Sequence, residues 1–394
     1  MRHEDLAQLL LAAVRAQHFE ATPDAMQGGA PLAQFPSIDL AVAAFAPGAA
    51  PVFANVLFSR EQPEGLIADL GPAASVSNIR FVADLQDEQG RSIAWLPGSD
   101  WSGLPWTPLT GSGPQRFVAP YPASLLKLMV LVGVARLVDQ GRSDWAAVLS
   151  FDGSARPLSD WAFDMTAISC NRSTSALIMH LHACGAIRRE GSVEVHNELH
   201  LLFAELGLSS LRLANTRADG GWGNAAGAGV GHLQMTAWDS LRLLWLLDAQ
   251  APPAPWLPAG HAPLLGASHA HVMFCLEQQS LHEVLSSASL LGLPGWVPGL
   301  PAQLPQRWQS KAASESESMP AAEVLFAHKT GNTENYTADA GIVRGLAPAK
   351  RHYLIALTSN LGSRYAPDPR AATTWKLPAL GAAIDSGLRA YLGS

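Results

Sequence analysis

The chain is poor in cysteine and in lysine, and it has no long apolar run. Three cysteines in 394 residues (Cys170, Cys184 and Cys275) do not make a disulfide framework. A chain of this length buries a core that needs no such staples. No apolar stretch reaches the roughly 18–20 residues of a membrane helix, so no membrane span is expected. Basic clusters are missing too. Lys and Arg number 26 against 33 Asp and Glu, for a net charge of −7, which excludes nucleic acid as the main partner. The opening "MRHEDLAQLLLAAVRAQHFE" has neither the positive start nor the small-residue cleavage site of a secretory leader. It reads as an amphipathic helix and leaves the compartment open between cytoplasm and periplasm. Among the 13 histidines, "HLH" at 180–182 and "HAH" at 269–271 are the densest groups. Neither has a zinc-binding spacing, so no metal and no cofactor are expected. The glycine-rich 218–231 lacks the Gly-Lys-Ser/Thr ending of a phosphate loop.

What is present falls into an order. Residues 3–18 read as a helix, 20–50 as Ala/Pro/Gly-rich loop, and 51–61 as a strand. Residues 1–74 are therefore expected to form an N-terminal extension of helix and loop outside the main domain. Two apolar runs around "DEQG" predict a hairpin over 79–98. An apolar helix covers 122–140 and ends at Gly141. Helical periodicity follows at about 158–184, 193–206 and 234–249. The polar "QSKAASESESMPAA" (309–322) reads as a surface insertion. Strands are predicted at 323–331, 340–346 and 352–360, and a last helix at about 375–392. Strands, helices, strands and a helix imply an α+β fold for 75–394, with an all-helical subdomain at about 142–310 inserted between the two strand groups.

Three short motifs stand out against this background. In "PYPASLLKLMVLVGV" (120–134), Ser124 and Lys127 lie one turn apart at the start of the most apolar helix. Burial lowers a lysine's pKa, and a neutral amine beside a hydroxyl can act as its base. With five lysines in the chain, about 0.4 Ser-x-x-Lys matches arise by chance, so the setting rather than the spacing gives this one weight. In "ISCNRSTSALIMHL" (168–181), Ser169 and Asn171 open a helix. They offer a hydroxyl for proton relay and an amide for a substrate carbonyl, although Ser and Asn are also the commonest helix caps. In "AHKTGNTENYTADAGIV" (327–343), Lys329, Thr330 and Gly331 end a predicted strand. Chance gives about 0.02 such triplets, so this motif is the most specific. Lys329 and Thr330 can hold a carboxylate, and Gly331 permits close approach to the backbone.

In this order the three motifs resemble those of the penicillin-recognising serine hydrolases, the class A β-lactamases and DD-peptidases. The likeness covers roughly 75–394 and includes "LPQRW" before the Lys-Thr-Gly strand and "DAGIV" after it. It implies a five-stranded antiparallel sheet with helices on both faces, and a cleft between sheet and helical subdomain. It further implies that Ser124 is the acylated nucleophile, activated by Lys127 directly or through water. Ser169 would pass a proton to the leaving amine, and Asn171 would orient the substrate amide. Lys329 and Thr330 would bind a substrate carboxylate beside Gly331 and Asn332, and the N–H groups of Ser124 and Asn332 would form the oxyanion hole. The partner implied is a small molecule or peptide bearing a carboxylate.

The sequence departs from that pattern in two places. Cys170 stands inside the Ser-x-Asn motif where Asp is usual. In the loop "LANTRADGGWGNAAGAG" (213–229), Trp222 holds the place of the glutamate that class A enzymes use for deacylation. No Glu occurs between Glu205 and Glu277. Asp219 matches the loop's structural aspartate, and Asn224 can stand for its asparagine. Acyl-enzyme formation is therefore expected, and rapid release of a β-lactam is not. Three readings follow: a β-lactamase-like serine hydrolase, a DD-peptidase or esterase with little β-lactam turnover, and a non-catalytic penicillin-binding or sensor protein.

Overall fold

Apolar residues in the first helix recur on one stripe, and that stripe decides where the N-terminus goes. The structure is a computed structural model describing residues 1–89, 91–96, 98–258, 260–309 and 321–393. Helix α1 (His3–Arg15) opens on a box between Arg2 and Asp5, whose carboxylate accepts from the Arg2 N–H at 2.8 Å. It buries Leu6, Leu10 and Val14 completely. Each such side chain contributes about 1.5–3 kcal/mol. Three strands follow, β1 (Ile38–Ala44), β2 (Val52–Ser59) and β3 (Gln62–Ile67). A separate three-stranded sheet holds β4 (Ile79–Ala83), β5 (Pro108–Thr110) and β6 (Gln115–Ala119), with β4 antiparallel to β5 and parallel to β6.

The helical region comprises α2 (Lys127–Asp139), α3 (Leu158–Ala167), α4 (Asn171–Ala183), α5 (Glu198–Glu205), α6 (Ala237–Leu247) and α7 (Gly266–Glu277). The chain then returns to the sheet as β7 (Val324–Asn332), β8 (Thr337–Gly345) and β9 (His352–Ser359), and ends in α8 (Lys376–Leu392). The main sheet has six antiparallel strands in the order β7-β8-β9-β1-β2-β3. Its middle strands alternate between two cores. Ala41 and Ala43 of β1 join a cluster that includes α2, α4 and α6. Leu40, Val42 and Ala44 join one that includes α1 and α8. Helices thus cover both faces, and β7 is an edge strand beside the first turn of the Ser124 segment.

Several expectations need correction. Residues 1–74 are not an extension outside the domain, because β1, β2 and β3 supply half of the main sheet and α1 seals one face. The sheet therefore has six strands rather than five. Its strands come from 38–67 and 324–359, and the region 79–119 builds the second sheet instead. The hairpin expected over 79–98 is reduced to strand β4 and a turn closed by one antiparallel bridge, Gln86↔Ser92, with Ile93 N–H donating to Leu85 O (2.8 Å); beside it buried Asp84 accepts from the Ala94 N–H (3.0 Å) and the Tyr336 hydroxyl (3.0 Å). β1 escapes a period-two reading because both its faces are buried and it is rich in Ala. The helical subdomain is interrupted by short hairpins at 148–157 and 187–197. The polar 309–322 segment lies almost wholly outside the described residues.

Candidate active site

The apolar helix expected from 122 begins as a tight 3-10 turn over Ala123–Leu126, and regular α-helix starts at Lys127. In such a turn, side chains at i and i+3 stand directly over one another, which puts Ser124 and Lys127 on one side. Ala123 has φ 47°, a left-handed conformation that a non-glycine residue holds only under tertiary constraint. The second strained residue of the region is Ser169, at φ 55°. It breaks the helical pattern of 158–184 into α3 and α4. The break turns Ser169 back toward α2 and leaves Asn171 at the first position of α4.

Lys127 is fully buried. Its ammonium donates to Ser169 O (2.6 Å), Ser169 Oγ (3.0 Å) and Asn171 Oδ1 (2.8 Å). Three acceptors match its three N–H donors. Burial nonetheless pulls its pKa down to about 7. Because Asn171 turns its oxygen to Lys127, its NH2 points elsewhere. Lys329 is also fully buried, and donates to the same Ser169 Oγ (3.0 Å) and to Thr330 O (2.7 Å). One hydroxyl thus lies between two amines. Burial and the nearby Lys127 charge both lower the pKa of Lys329, while Glu283 and Asp339 raise it.

Gly331 sits where β7 meets the Ser124 turn. A Cβ at this position would lie 2.5 Å from Pro122 O and 2.8 Å from Ser124 N, closer than packed atoms allow. The glycine is needed for contact between two segments of the protein itself, a different reason from substrate approach. Opposite it in the register is Ala338, beside the pairs Thr330↔Asp339 and Asn332↔Thr337. Thr333 N–H bonds Tyr336 O at 2.8 Å. In an antiparallel ladder bonded and non-bonded pairs alternate, so the Asn332 N–H points away from β8 to the open edge. Thr330 O, reached by the Lys329 amine, points to that edge for the same reason. Thr330 itself is buried, and Asn332 Oδ1 accepts from the Thr337 hydroxyl at 2.9 Å.

The structure therefore brings Lys127, Ser169, Asn171 and Lys329 into one hydrogen-bonded group, with Ser124 and Gly331 packed beside it. Among the described residues Lys127 makes no hydrogen bond to Ser124. Trp222 presents its ring 5.9 Å from the Lys127 ammonium, so an aromatic face stands there. Asp219 is exposed and occupied by its own loop, bonding Gly221 N (3.0 Å) and pairing with Arg217 (3.1 Å). Asn224 Oδ1 accepts from Val230 N at 3.0 Å and shapes the same loop. The dense histidines have local partners. His180 bonds Ser143 (2.8 Å), His182 bonds Thr216 (3.0 Å), and His269 bonds Leu247 O (2.6 Å). Among the described residues no three His, Cys, Asp or Glu side chains gather as a metal-binding group.

One residue near the site escaped sequence reasoning. Glu283, in the segment between α7 and β7, is close enough to attract the Lys329 charge. Its one signal in the sequence is an isolated acid among apolar and small neighbours in "LHEVLSS" (281–287).

No protein-family model matches the chain, and no curated protein matches it. Solved structures similar to it include a PBP-A, at 17% identity over 69% of this chain and 82% of that one, with a TM-score of 0.41. Another is a β-lactamase from Sphaerobacter thermophilus, at 14% identity over 97% and 96%, with a TM-score of 0.48. A third is the TLA-1 extended-spectrum β-lactamase, at 12% identity over 98% and 99%, again with a TM-score of 0.48.

Proposed function

We propose that this protein is a serine acyl hydrolase of β-lactamase or DD-peptidase type, forming a covalent acyl-enzyme at Ser124 on an amide or ester that bears a carboxylate. The observation that carries the reading is Ser169 Oγ held at 3.0 Å from both Lys127 and Lys329, beside the Ser124 turn. Lys127, with its pKa brought down to about 7 by burial, takes the Ser124 proton directly or through water as Ser124 Oγ attacks the carbonyl carbon. The N–H groups of Ser124 and Asn332 receive the developing oxyanion. Lys127 returns the proton through Ser169 to the leaving nitrogen or oxygen as the scissile bond breaks. The Asn171 amide orients the substrate, and Lys329 with Thr330 binds its carboxylate. Lys127 is available for the first step only when its amine swings from the Ser169–Asn171 turn or a water bridges it to Ser124.

Deacylation separates the readings. Among the described residues no carboxylate bonds the Lys127 amine, and Trp222 presents its ring 5.9 Å from it. This favours a long-lived adduct, as in a DD-peptidase with little β-lactam turnover or a penicillin-binding sensor, over a fast β-lactamase. The test is an intact-mass time course with a penicillin and a cephalosporin, with Ser124→Ala as control. A persistent adduct on the wild type alone supports the slow reading. A transient adduct with accumulating product supports a β-lactamase. A Ser124→Ala protein acylated like the wild type refutes the nucleophile.

A further inference from the structure

A ring of hydrogen bonds joins the Lys329 strand to the Ser169 turn from behind the site. Ser280 donates to Ala167 O through both its N–H (2.8 Å) and its hydroxyl (2.8 Å), and Gln279 Nε2 donates to Thr166 O at 2.9 Å. Those carbonyls lie just ahead of the strained Ser169. Further along the same segment, Leu285 N–H donates to Asp339 Oδ2 at 3.1 Å. The other oxygen of that carboxylate, Oδ1, lies 2.7 Å from His328 Nδ1. His328 precedes Lys329 on β7, and Lys329 Nζ closes the ring on Ser169 Oγ at 3.0 Å.

The ring is made of buried parts. Asp339, His328, Gln279 and Leu285 are completely buried. Gly341 stands opposite His328 in the ladder, and a Cβ there would lie 2.4 Å from the His328 Cβ, so the glycine makes room for the imidazole. That imidazole stacks on Phe326 at 4.0 Å and meets the His282 ring edge-on at 4.5 Å. Side chains alternate along a strand, so His328 and Asp339 share the α1 and α8 face with Phe326 and Val343, while Lys329 projects from the other. Asp339 therefore acts on the strand that carries Lys329 and not on its amine. β7 is an edge strand paired with β8 alone. An edge that stays open to substrate needs its position set from behind.

We propose that Asp339 is a positioning residue, whose carboxylate, held between His328 and Leu285, sets the distance between the Lys329 ammonium and the Ser169 hydroxyl. Each of its oxygens has one partner, so a single side chain fixes both the strand and the 278–287 segment. The consequence for acyl transfer rests on the role proposed above for Lys329 in binding a substrate carboxylate; the mechanical link does not.

Three variants of the full-length protein separate this role from a general loss of packing. Asp339→Ala opens the ring. Asp339→Asn keeps its shape, with the amide oxygen on Leu285 N–H and the NH2 donating to His328 Nδ1. His328→Phe combined with Asp339→Asn cuts only the link to β7 and leaves no buried charge. Acylation rates with penicillin G and with its methyl ester are compared by intact mass. The ester gives Lys329 no anion, so a general loss slows both alike, whereas a displaced Lys329 slows the acid more. The acid-to-ester ratio should fall about tenfold in Asp339→Ala and in the double variant, the worth of one charge-assisted hydrogen bond. It should stay within about threefold of wild type in Asp339→Asn, which keeps both bonds. An unchanged ratio in Asp339→Ala overturns the proposal, as does an Asp339→Asn ratio equally low. Where Asp339→Ala does not fold, an unchanged ratio in the double variant overturns it. Hydrogen exchange reads the link without substrate. In Asp339→Ala, or in the double variant in its place, exchange at 166–175 should quicken together with that at 278–287, while α1 keeps its wild-type rate. No change at 166–175 overturns the link. A wild type that neither compound acylates refutes the proposed function, and the exchange comparison still decides the link.

Discussion

At the residue scale, two buried amines flank one hydroxyl, and the proposed chemistry depends on their protonation. In the proposed reaction Lys127 must be neutral to take a proton from Ser124, and burial brings its pKa down to about 7. The acylation rate should therefore rise with pH through about 7, and Lys127→Arg, which stays charged, should remove this limb and slow acylation by about 10²–10⁴-fold. Stopped-flow acylation with a chromogenic cephalosporin from pH 5 to 9 measures both; a flat profile would contradict Lys127 as base. Gly331→Ala tests the close contact of β7 with the Ser124 turn. A methyl 2.5 Å from Pro122 O forces the strand away, at a cost of about 1–3 kcal/mol, and acylation should fall with stability. Calorimetry and adduct formation on one sample should show both losses. The residues of the three motifs were legible because Lys is rare in this chain and their spacing is local. Glu283 was not, because its neighbour Lys329 is far along the sequence and its burial comes from packing alone. The packing role of Gly331 was not legible either, since only the fold reveals that Pro122 and Ser124 pass beside it.

At the scale of elements, strain rather than periodicity sets the positions. The helical signal over 158–184 is real, but Ser169 at φ 55° divides it. The sequence carries no mark for that turn beyond ordinary capping residues. The strands at 324–359 were readable from their branched apolar runs. β1, all buried and rich in Ala, was not, and with it went the correct place of residues 1–74. Helix α1 shows what that region contributes. Leu10 is fully buried against the face shared with α8, so Leu10→Ala should cost about 2–5 kcal/mol. Urea unfolding would measure it, and a loss below about 1 kcal/mol would mean that α1 is only loosely attached.

For the whole molecule, the main sheet is assembled from both ends of the chain, and the helical region is inserted between them. Removing residues 1–74 deletes three of six strands and uncovers one core, so the remainder should show no cooperative unfolding by calorimetry. A sharp transition in that fragment would contradict the architecture. Stability should also carry the signature of the site. An unfolded lysine keeps its proton up to about 10.5, whereas folded Lys127 releases it near 7. Between those values the unfolded chain binds the extra proton, so the contribution of this group to stability rises with pH. Wild type should gain on Lys127→Met as pH is raised from 7 to 9 in parallel urea titrations. The most direct measurement of the central claim is peptide mapping of the protein after brief exposure to penicillin G. The account predicts the added mass on the peptide containing Ser124, absent in Ser124→Ala. An adduct on any other peptide, or an equal adduct in the alanine variant, would contradict it.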